Sequence, residues 1–254
     1  MRTLDRDGVQ IAYDVVPGPA DATPLLLTHG YGASRAMWRP NLGALTATRT
    51  VVTWDLRGHG QTDSPRDPRL YSHEHTAGDM VAVLDACNIA VAAVGGHSLG
   101  GFTSLDFHRT HPGRVRCLLL FDTGPGFSKD ASRQAWNDYA RRTAERLERD
   151  GTAALSSSPE VPRAMGNAPG LARAARGMLV QQDARVIRSL PDIAVPTLVL
   201  AGADDANFLA AAHYMASAIE HAEKVIVPGA GHAANIDQPG AFNDTVTGFL
   251  ARHA

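Results

Sequence analysis

Six short apolar segments, each ending in Gly or Asp, constrain the fold of this chain more than any other feature. They read LLLTHG, TVVTWD, VAAVGG, CLLLFD, TLVLAG and KVIVPG. Short runs of this kind, rich in Leu and Val, are typical of strands buried on both faces of a parallel sheet. Amphipathic segments such as TAGDMVAVLDAC and FTSLDFHRTHP separate several of them. This alternation predicts an α/β fold, a mostly parallel sheet with helices on both faces.

The N-terminal region and the middle of the chain depart from the alternation. RTLDR and VQIAYDVV flank Asp7-Gly8, which predicts a β-hairpin. From about residue 123 to residue 190 the strands stop and two helical segments, ASRQAWNDYARRTAERLERDG and LARAARGMLVQQD, replace them. We therefore expect residues 1–122 and 191–254 to form the core and residues 123–190 a small helical cap insertion.

The first helix of this insertion has an amphipathic pattern. Trp136, Tyr139, Thr143 and Leu147 share one face at helical spacing, and Gly151 follows as a stop signal. The segment is therefore expected to be a helix that ends at Gly151.

Composition excludes several classes of partner. The chain has 254 residues, with 26 acidic and 24 basic side chains and a formal net charge of −2. Without a basic stripe, neither a nucleic acid nor an anionic membrane surface is expected as a partner. No segment approaches the ~18 apolar residues of a membrane span, and the N-terminus lacks the apolar core of a signal peptide. With Cys87 and Cys117 as its only cysteines, the chain is expected to be cytoplasmic with reduced thiols.

The segment GHSLG, residues 96–100, is the sharpest chemical motif. It fits G-x-S-x-G and lies between a predicted strand and a predicted helix, which is the context that a nucleophile elbow requires. Such a turn holds a serine, here Ser98, in a sparsely populated backbone conformation that exposes its hydroxyl. Other polar residues also stand just past predicted strands, namely His29, Asp55, Asp122 and Asp205. Chemistry in open α/β sheets collects at that edge.

Five segments, taken in chain order, resemble the motifs of the α/β-hydrolase family. They are HGYGASRAMW, DLRGHGQTDSP, GHSLGG, VPTLVLAGADD and PGAGHAANIDQP, and the resemblance, closest to enol-lactonase and small esterase relatives, covers nearly the whole chain. It implies a serine hydrolase whose nucleophile, acid and histidine follow in that order. It also assigns structural roles to His29 and to the turn between Asp55 and Arg57.

The resemblance implies a catalytic triad. A serine hydroxyl needs a base, and His232 is the only histidine in the last strand-to-helix loop. The acid should hold the imidazole in the correct tautomer. The family's G-x-x-D spacing selects Asp205, with Asp122 as the alternative acid one strand earlier and Asp204 as a weaker one.

An oxyanion hole and a substrate pocket are expected beside the triad. The resemblance nominates the backbone N–H groups of Tyr31 and Leu99 as oxyanion donors. If the insertion is a lid, the side chains that could contact a substrate are those of Tyr31, Trp136, Tyr139, Met165 and Met178. Core packing is an equal alternative for each.

These features predict hydrolysis of esters or lactones with a small to medium apolar acyl part, through an acyl-enzyme on Ser98. No metal or organic cofactor is expected, because His73 and His75 are not accompanied by other metal-ligating residues. The chain is expected to be a monomer or a homodimer. The alternatives are a carbon–carbon bond hydrolase, a perhydrolase, and a ligand receptor on the same fold that does not turn over.

Overall fold

An eight-stranded sheet lies at the centre of the molecule. The computed structural model describes residues 1–155 and 167–254. Its strands are β1 (Arg2–Arg6), β2 (Val9–Val16), β3 (Leu25–Thr28), β4 (Val51–Trp54), β5 (Ala92–His97), β6 (Val115–Phe121), β7 (Thr197–Gly202) and β8 (Ala222–Val227). They are ordered β1-β2-β4-β3-β5-β6-β7-β8. β1 and β2 run antiparallel to their neighbours, and β3 to β8 are parallel, which confirms the predicted α/β fold.

Each of the six apolar segments forms a strand, and the predicted hairpin also forms. Asp7 and Gly8 have positive φ angles of 56° and 79°, as a tight turn between β1 and β2 requires. The expectation that all six of these strands are buried on both faces was too broad. β8 lies at the edge of the sheet and is only half-buried, whereas β3 to β5 are fully buried.

Helices cover both faces of the sheet. They are α1 (Arg39–Thr46), α2 (His73–Ala86), α3 (Leu99–Thr110), α4 (Asp130–Asp150), α5 (Ala168–Ala174), α6 (Arg185–Arg188), α7 (Leu209–Ala218), α8 (Ala234–Asp237) and α9 (Pro239–His253). α1 and α9 bury their apolar faces on one side, and α2, α3 and α7 on the other. Within the described residues, none of these helices combines the length and the apolar character needed to cross a bilayer.

The predicted long helix forms as α4, and its buried side lies next to the face that carries Trp136 and Tyr139. Asn137, Ala140, Ala144 and Leu147 form the buried side of α4. Tyr139 is 51% exposed, and Leu147 is the residue that the buried side shares with that face. Small alanines let α5 approach α4 closely. α4 ends before Gly151, which has a φ of 64°, as predicted.

The second half of the insertion packs directly on the core. A Cβ on Gly58 would lie 2.7 Å from the carbonyl oxygen of Gly170 in α5. A Cβ on Gly177, in the wide helical turn after α5, would lie 1.7 Å from the carbonyl oxygen of Tyr71. Met178 continues the main core cluster from this turn. This part of the insertion therefore rests on the core through main-chain contacts. The domain boundaries given above stay a prediction.

Gly177→Ala should destabilise the protein, because its methyl group would overlap the Tyr71 carbonyl. Overpacking of this kind costs typically about 1–3 kcal/mol. Gly240→Ala in α9 is the matched control, since a Cβ there meets nothing within 4 Å, and helix propensity predicts a gain of up to about 1 kcal/mol. Urea unfolding measures both variants. Equal stability of the two would contradict the main-chain contact.

Candidate active site

Ser98 occupies the turn between β5 and α3. Its backbone angles, φ 53° and ψ −115°, are rare for a residue with a side chain. The surrounding structure holds the turn. The Ser98 N–H donates to the carbonyl of Phe121 at 2.9 Å, and the Thr123 hydroxyl donates to the Ser98 carbonyl at 2.6 Å. The elbow predicted from the sequence is therefore present as a strained strand-to-helix turn.

Close backbone approach explains the glycines on either side of Ser98. A Cβ on Gly96 would lie 2.4 Å from the carbonyl carbon of Gly100, and a Cβ on Gly100 would lie 2.2 Å from the carbonyl oxygen of Thr28. Real Cβ contacts essentially never reach such distances. The serine can be presented this way only if both positions are glycine.

His232 and Asp205 come from two loops at the same edge of the sheet as Ser98. His232 lies between β8 and α8, and Asp205 lies between β7 and α7. The His232 Nε2 atom is 3.1 Å from Ser98 Oγ, and the His232 Nδ1 atom is 2.8 Å from an Asp205 carboxylate oxygen. A carboxylate can only accept, so Nδ1 carries the proton and Nε2 is free to accept from the serine hydroxyl. The three side chains form a continuous hydrogen-bonded chain.

Asp122, the alternative acid, has other partners. One carboxylate oxygen accepts from the N–H of Gly202 at 2.7 Å, and the other accepts from the N–H of Ala234 at 3.1 Å. Asp122 therefore connects the end of β7, where the loop with Asp205 begins, to the start of α8, where the loop with His232 ends. The geometry supports Asp205, not Asp122, as the partner of His232 Nδ1.

Burial dominates the electrostatics of Asp122. Loss of solvent raises the pKa of its carboxyl to about 7, against the two N–H donors, which lower it. The fold thus favours the protonated form. The stabilisation that this provides is complete below the ordinary value of 3.8 and is lost as the pH rises through about 7.

This linkage predicts a pH-dependent stability difference. From about pH 4 to about pH 7 the free energy of unfolding should fall in the wild type relative to Asp122→Asn, because asparagine cannot ionise. Urea unfolding at several pH values measures the difference. A constant difference across that window would contradict the raised pKa.

His97 links the elbow to the histidine loop. Its Nε2–H donates to the backbone carbonyl of His232, and the two rings lie 4.8 Å apart. Burial, and secondarily the proximity of His232, lowers the pKa of His97 to about 3, so its ring is neutral. The ring also packs on Gly30, where a Cβ would lie 2.5 Å from Nδ1. Sequence reasoning expected only local packing or bonding here.

His29 and Asp55 hold loops together. The His29 Nδ1–H donates to the Gly30 carbonyl at 2.7 Å, and the Leu56 N–H donates to His29 Nε2 at 3.0 Å. Burial lowers the pKa of His29 to about 4. Asp55 accepts from the backbone N–H and the guanidinium of Arg35. These contacts fit the structural roles expected for both residues.

Leu99 directly follows Ser98, and Tyr31 directly follows Gly30, where an added Cβ would lie 3.3 Å from the Ser98 Cβ. Leu99 is the first residue of α3, so its N–H has no acceptor within the helix. Tyr31 follows β3 two residues after His29. Among the hydrogen bonds of residues 1–155 and 167–254, none is donated by the backbone N–H of either Tyr31 or Leu99. The Tyr31 hydroxyl donates to the Leu171 carbonyl of α5 at 2.8 Å, which joins this loop to the insertion.

The other residues proposed to contact a substrate are in different environments. Trp136 is half-buried and donates its indole N–H to the Leu179 carbonyl at 2.7 Å, with its ring 5.5 Å from that of exposed Tyr139. Met178 is only 1% exposed and packs in the core. This burial fits core packing, the alternative given above, and a substrate contact of Met178 stays a prediction. Met165 lies outside the described residues.

Phe208 is a site residue that sequence reasoning missed. Its ring stacks on the imidazole of His232, with centroids 4.8 Å apart and an interplanar angle of 23°. The available signal was its position three residues after Asp205, in the segment DDANFLAA.

His73 and His75 have local roles at the start of α2. The His73 Nε2–H donates to the Met178 carbonyl at 2.8 Å, and His75 Nδ1 is 2.8 Å from the hydroxyl of Ser72. In the described parts of the chain, no three or more His, Cys, Asp or Glu side chains are grouped as metal ligands.

Comparison with known proteins places this geometry in a family. The chain is 27% identical to a putative 2-succinyl-6-hydroxy-2,4-cyclohexadiene-1-carboxylate synthase of Bacillus subtilis, over 96% of each chain. It is 29% identical to 3-oxoadipate enol-lactonase 1 of Acinetobacter baylyi, over 92% of this chain and 91% of the relative.

A solved structure gives the same result. A thermophilic esterase from Thermogutta terrifontis superimposes with a TM-score of 0.84 at 26% identity, covering 99% of this chain and 97% of the esterase. The family model described as "Alpha/beta hydrolase family" matches residues 25–245. This chain therefore belongs to the alpha/beta hydrolase family.

Proposed function

We propose that the protein is a serine hydrolase that cleaves carboxylic esters or lactones with a small to medium apolar acyl part, through an acyl-enzyme on Ser98. The observation that carries this proposal is the hydrogen-bonded chain from Ser98 through His232 to Asp205, with distances of 3.1 and 2.8 Å. These separations lie within the range over which a base can take a proton from a nucleophile.

The reaction follows from the protonation states. Ser98 Oγ attacks the substrate carbonyl while its proton passes to His232 Nε2, and Asp205 stabilises the imidazolium that forms. The tetrahedral intermediate collapses when the imidazolium gives the proton to the leaving alkoxide, which leaves an ester on Ser98. Water then attacks this ester with His232 as the base, and the carboxylic acid is released.

The developing negative charge on the carbonyl oxygen needs fixed donors. We assign this role to the backbone N–H groups of Leu99 and Tyr31, which lie at a helix N-terminus and in the loop after β3. Because the Tyr31 side chain is bonded to α5, the insertion would help to hold this donor in place.

The choice of substrate class draws support from the relatives. The enol-lactonase and the esterase carry names of ester-cleaving enzymes. The synthase is as similar in sequence and carries the name of another reaction. Identity at this level therefore does not select the substrate, and the proposal stays at the level of esters and lactones.

A fluorophosphonate probe tests the nucleophile, since it labels only activated serines. The wild type should take up one equivalent, Ser98→Ala none, and Ser217→Ala one, because the Ser217 hydroxyl is bonded at the surface to the Tyr214 carbonyl. Labelling of Ser98→Ala would overturn the assignment.

Turnover of p-nitrophenyl esters and lactones of increasing acyl length then tests the reaction. Sustained turnover that prefers short and medium acyl chains supports the hydrolase. A single turnover with stoichiometric labelling would favour the ligand-receptor alternative.

A further inference from the structure

The imidazole of His232 is held at its face as well as at its edge. Asp205 lies at Nδ1, and the Phe208 ring lies nearly parallel to the imidazole at 4.8 Å. This separation falls in the range of stacked aromatic pairs. One loop, between β7 and α7, supplies both contacts.

The backbone of Phe208 is held by hydrogen bonds on both sides. Its backbone N–H donates to the Asp205 carbonyl at 3.0 Å, and its own carbonyl accepts from the Ala212 N–H at 2.9 Å at the start of α7. Across the ring, a Cβ added at Gly124 would lie 3.7 Å from Cδ1 of Phe208, at ordinary van der Waals distance. The ring therefore lies between the histidine and the segment after β6, with space for one methyl group at Gly124.

His232 gains a positive charge when it takes the proton in the proposed reaction, whereas the Phe208 ring is always neutral. Ionisable groups near the imidazole include Asp205 at Nδ1, Asp122, whose carboxyl interacts electrostatically with His232, and His97, whose ring is 4.8 Å away and neutral. The face of an aromatic ring is electronegative and attracts a cation placed over it. A parallel phenyl ring therefore interacts more favourably with imidazolium than with imidazole.

We propose that Phe208 is a positioning residue that stabilises the protonated form of His232 through the face of its ring. The inference rests on the proposed function in one respect only, that His232 is the base. In this proposal, both Asp205 and the Phe208 ring stabilise the protonated imidazole of His232.

The proton affinity of His232 can be measured without turnover. NMR titration of the His232 Cε1 proton in a Ser98→Ala background compares three proteins, with Phe, Leu or Tyr at position 208. Removing a contact that favours the charged form lowers the pKa of a histidine. A cation–π contact at a partly exposed site predicts a fall of about 0.3–0.7 in Phe208→Leu, and Phe208→Tyr should stay within about 0.2 of the Phe protein because its ring is kept.

Either of two results would overturn the proposal. One is an unchanged His232 pKa in Phe208→Leu, and the other is an equal fall in Phe208→Leu and Phe208→Tyr, which would indicate packing instead of the ring face. If Phe208→Leu does not fold, Phe208→Met offers a flexible apolar side chain and the same comparison.

Activity provides a second readout. In proteins that keep Ser98, the acid limb of the kcat/KM profile should move to lower pH in Phe208→Leu by the same amount as the NMR pKa. Absence of any ester or lactone turnover in the wild type would refute the proposed function, and the NMR comparison would still decide the role of Phe208.

Discussion

Alanine in place of His232 is expected to lower kcat for ester hydrolysis by about 10⁴- to 10⁶-fold, because triad members act as a unit. Without the imidazole, the Ser98 hydroxyl has no acceptor for its proton at 3.1 Å. The steady-state rate with p-nitrophenyl acetate measures the loss. Binding of substrate should change far less than kcat, since the missing interaction forms mainly in the transition state.

His221→Ala is the matched control, because His221 is exposed and lies in the turn before β8. Its activity should match that of the wild type. If His232→Ala kept its activity within about tenfold of the wild type, His232 would not be the base and the proposed mechanism would fail.

Asp205→Asn is expected to reduce kcat by about 10⁴-fold, since an amide favours the wrong imidazole tautomer. Asn can present N–H groups to Nδ1, and Nε2 would then carry the proton and no longer accept from Ser98. Circular dichroism and urea unfolding should show a folded protein, because the side chain keeps its size.

Asp122→Asn makes the same chemical change one strand earlier and should behave differently. Asn leaves one of the two N–H donors, Gly202 or Ala234, without an acceptor, so the main expected effect is a stability loss of about 1–3 kcal/mol. The loss of kcat should be smaller than in Asp205→Asn by at least about a hundredfold, because the His232–Asp205 contact stays intact. A larger loss of kcat in Asp122→Asn would transfer the acid role to Asp122.

Much of the fold was predictable because its signals are local. The apolar runs, the Asp7-Gly8 turn and the G-x-S-x-G elbow each depend on a few neighbouring residues. The sequence did not decide whether Tyr139 and Met178 are exposed or packed in the core. The alanines and glycines that bring α5 and the turn after it close to α4 and the core carry little hydrophobic signal.

Some residues of the candidate site were also predictable from the sequence, and others were not. Ser98, His232 and Asp205 follow strands in a recognisable order, so the sequence could bring them together. The role of His97 depends on its contact with His232, which is 135 positions away in the chain. The role of Phe208 depends on the stacking of its ring on His232, which belongs to a different loop. No periodicity in the chain marks such contacts.

The glycine contacts of the insertion bear on protein engineering. Gly58 meets Gly170, and Gly177 meets Tyr71, with no side chain between the two backbones. A chimera that receives this region from a relative would therefore have to keep the small residues at both junctions, whatever the donor's other residues. By contrast, the solvent-facing side of α4, which includes Tyr139, meets no such restriction and is the better place to diversify a library.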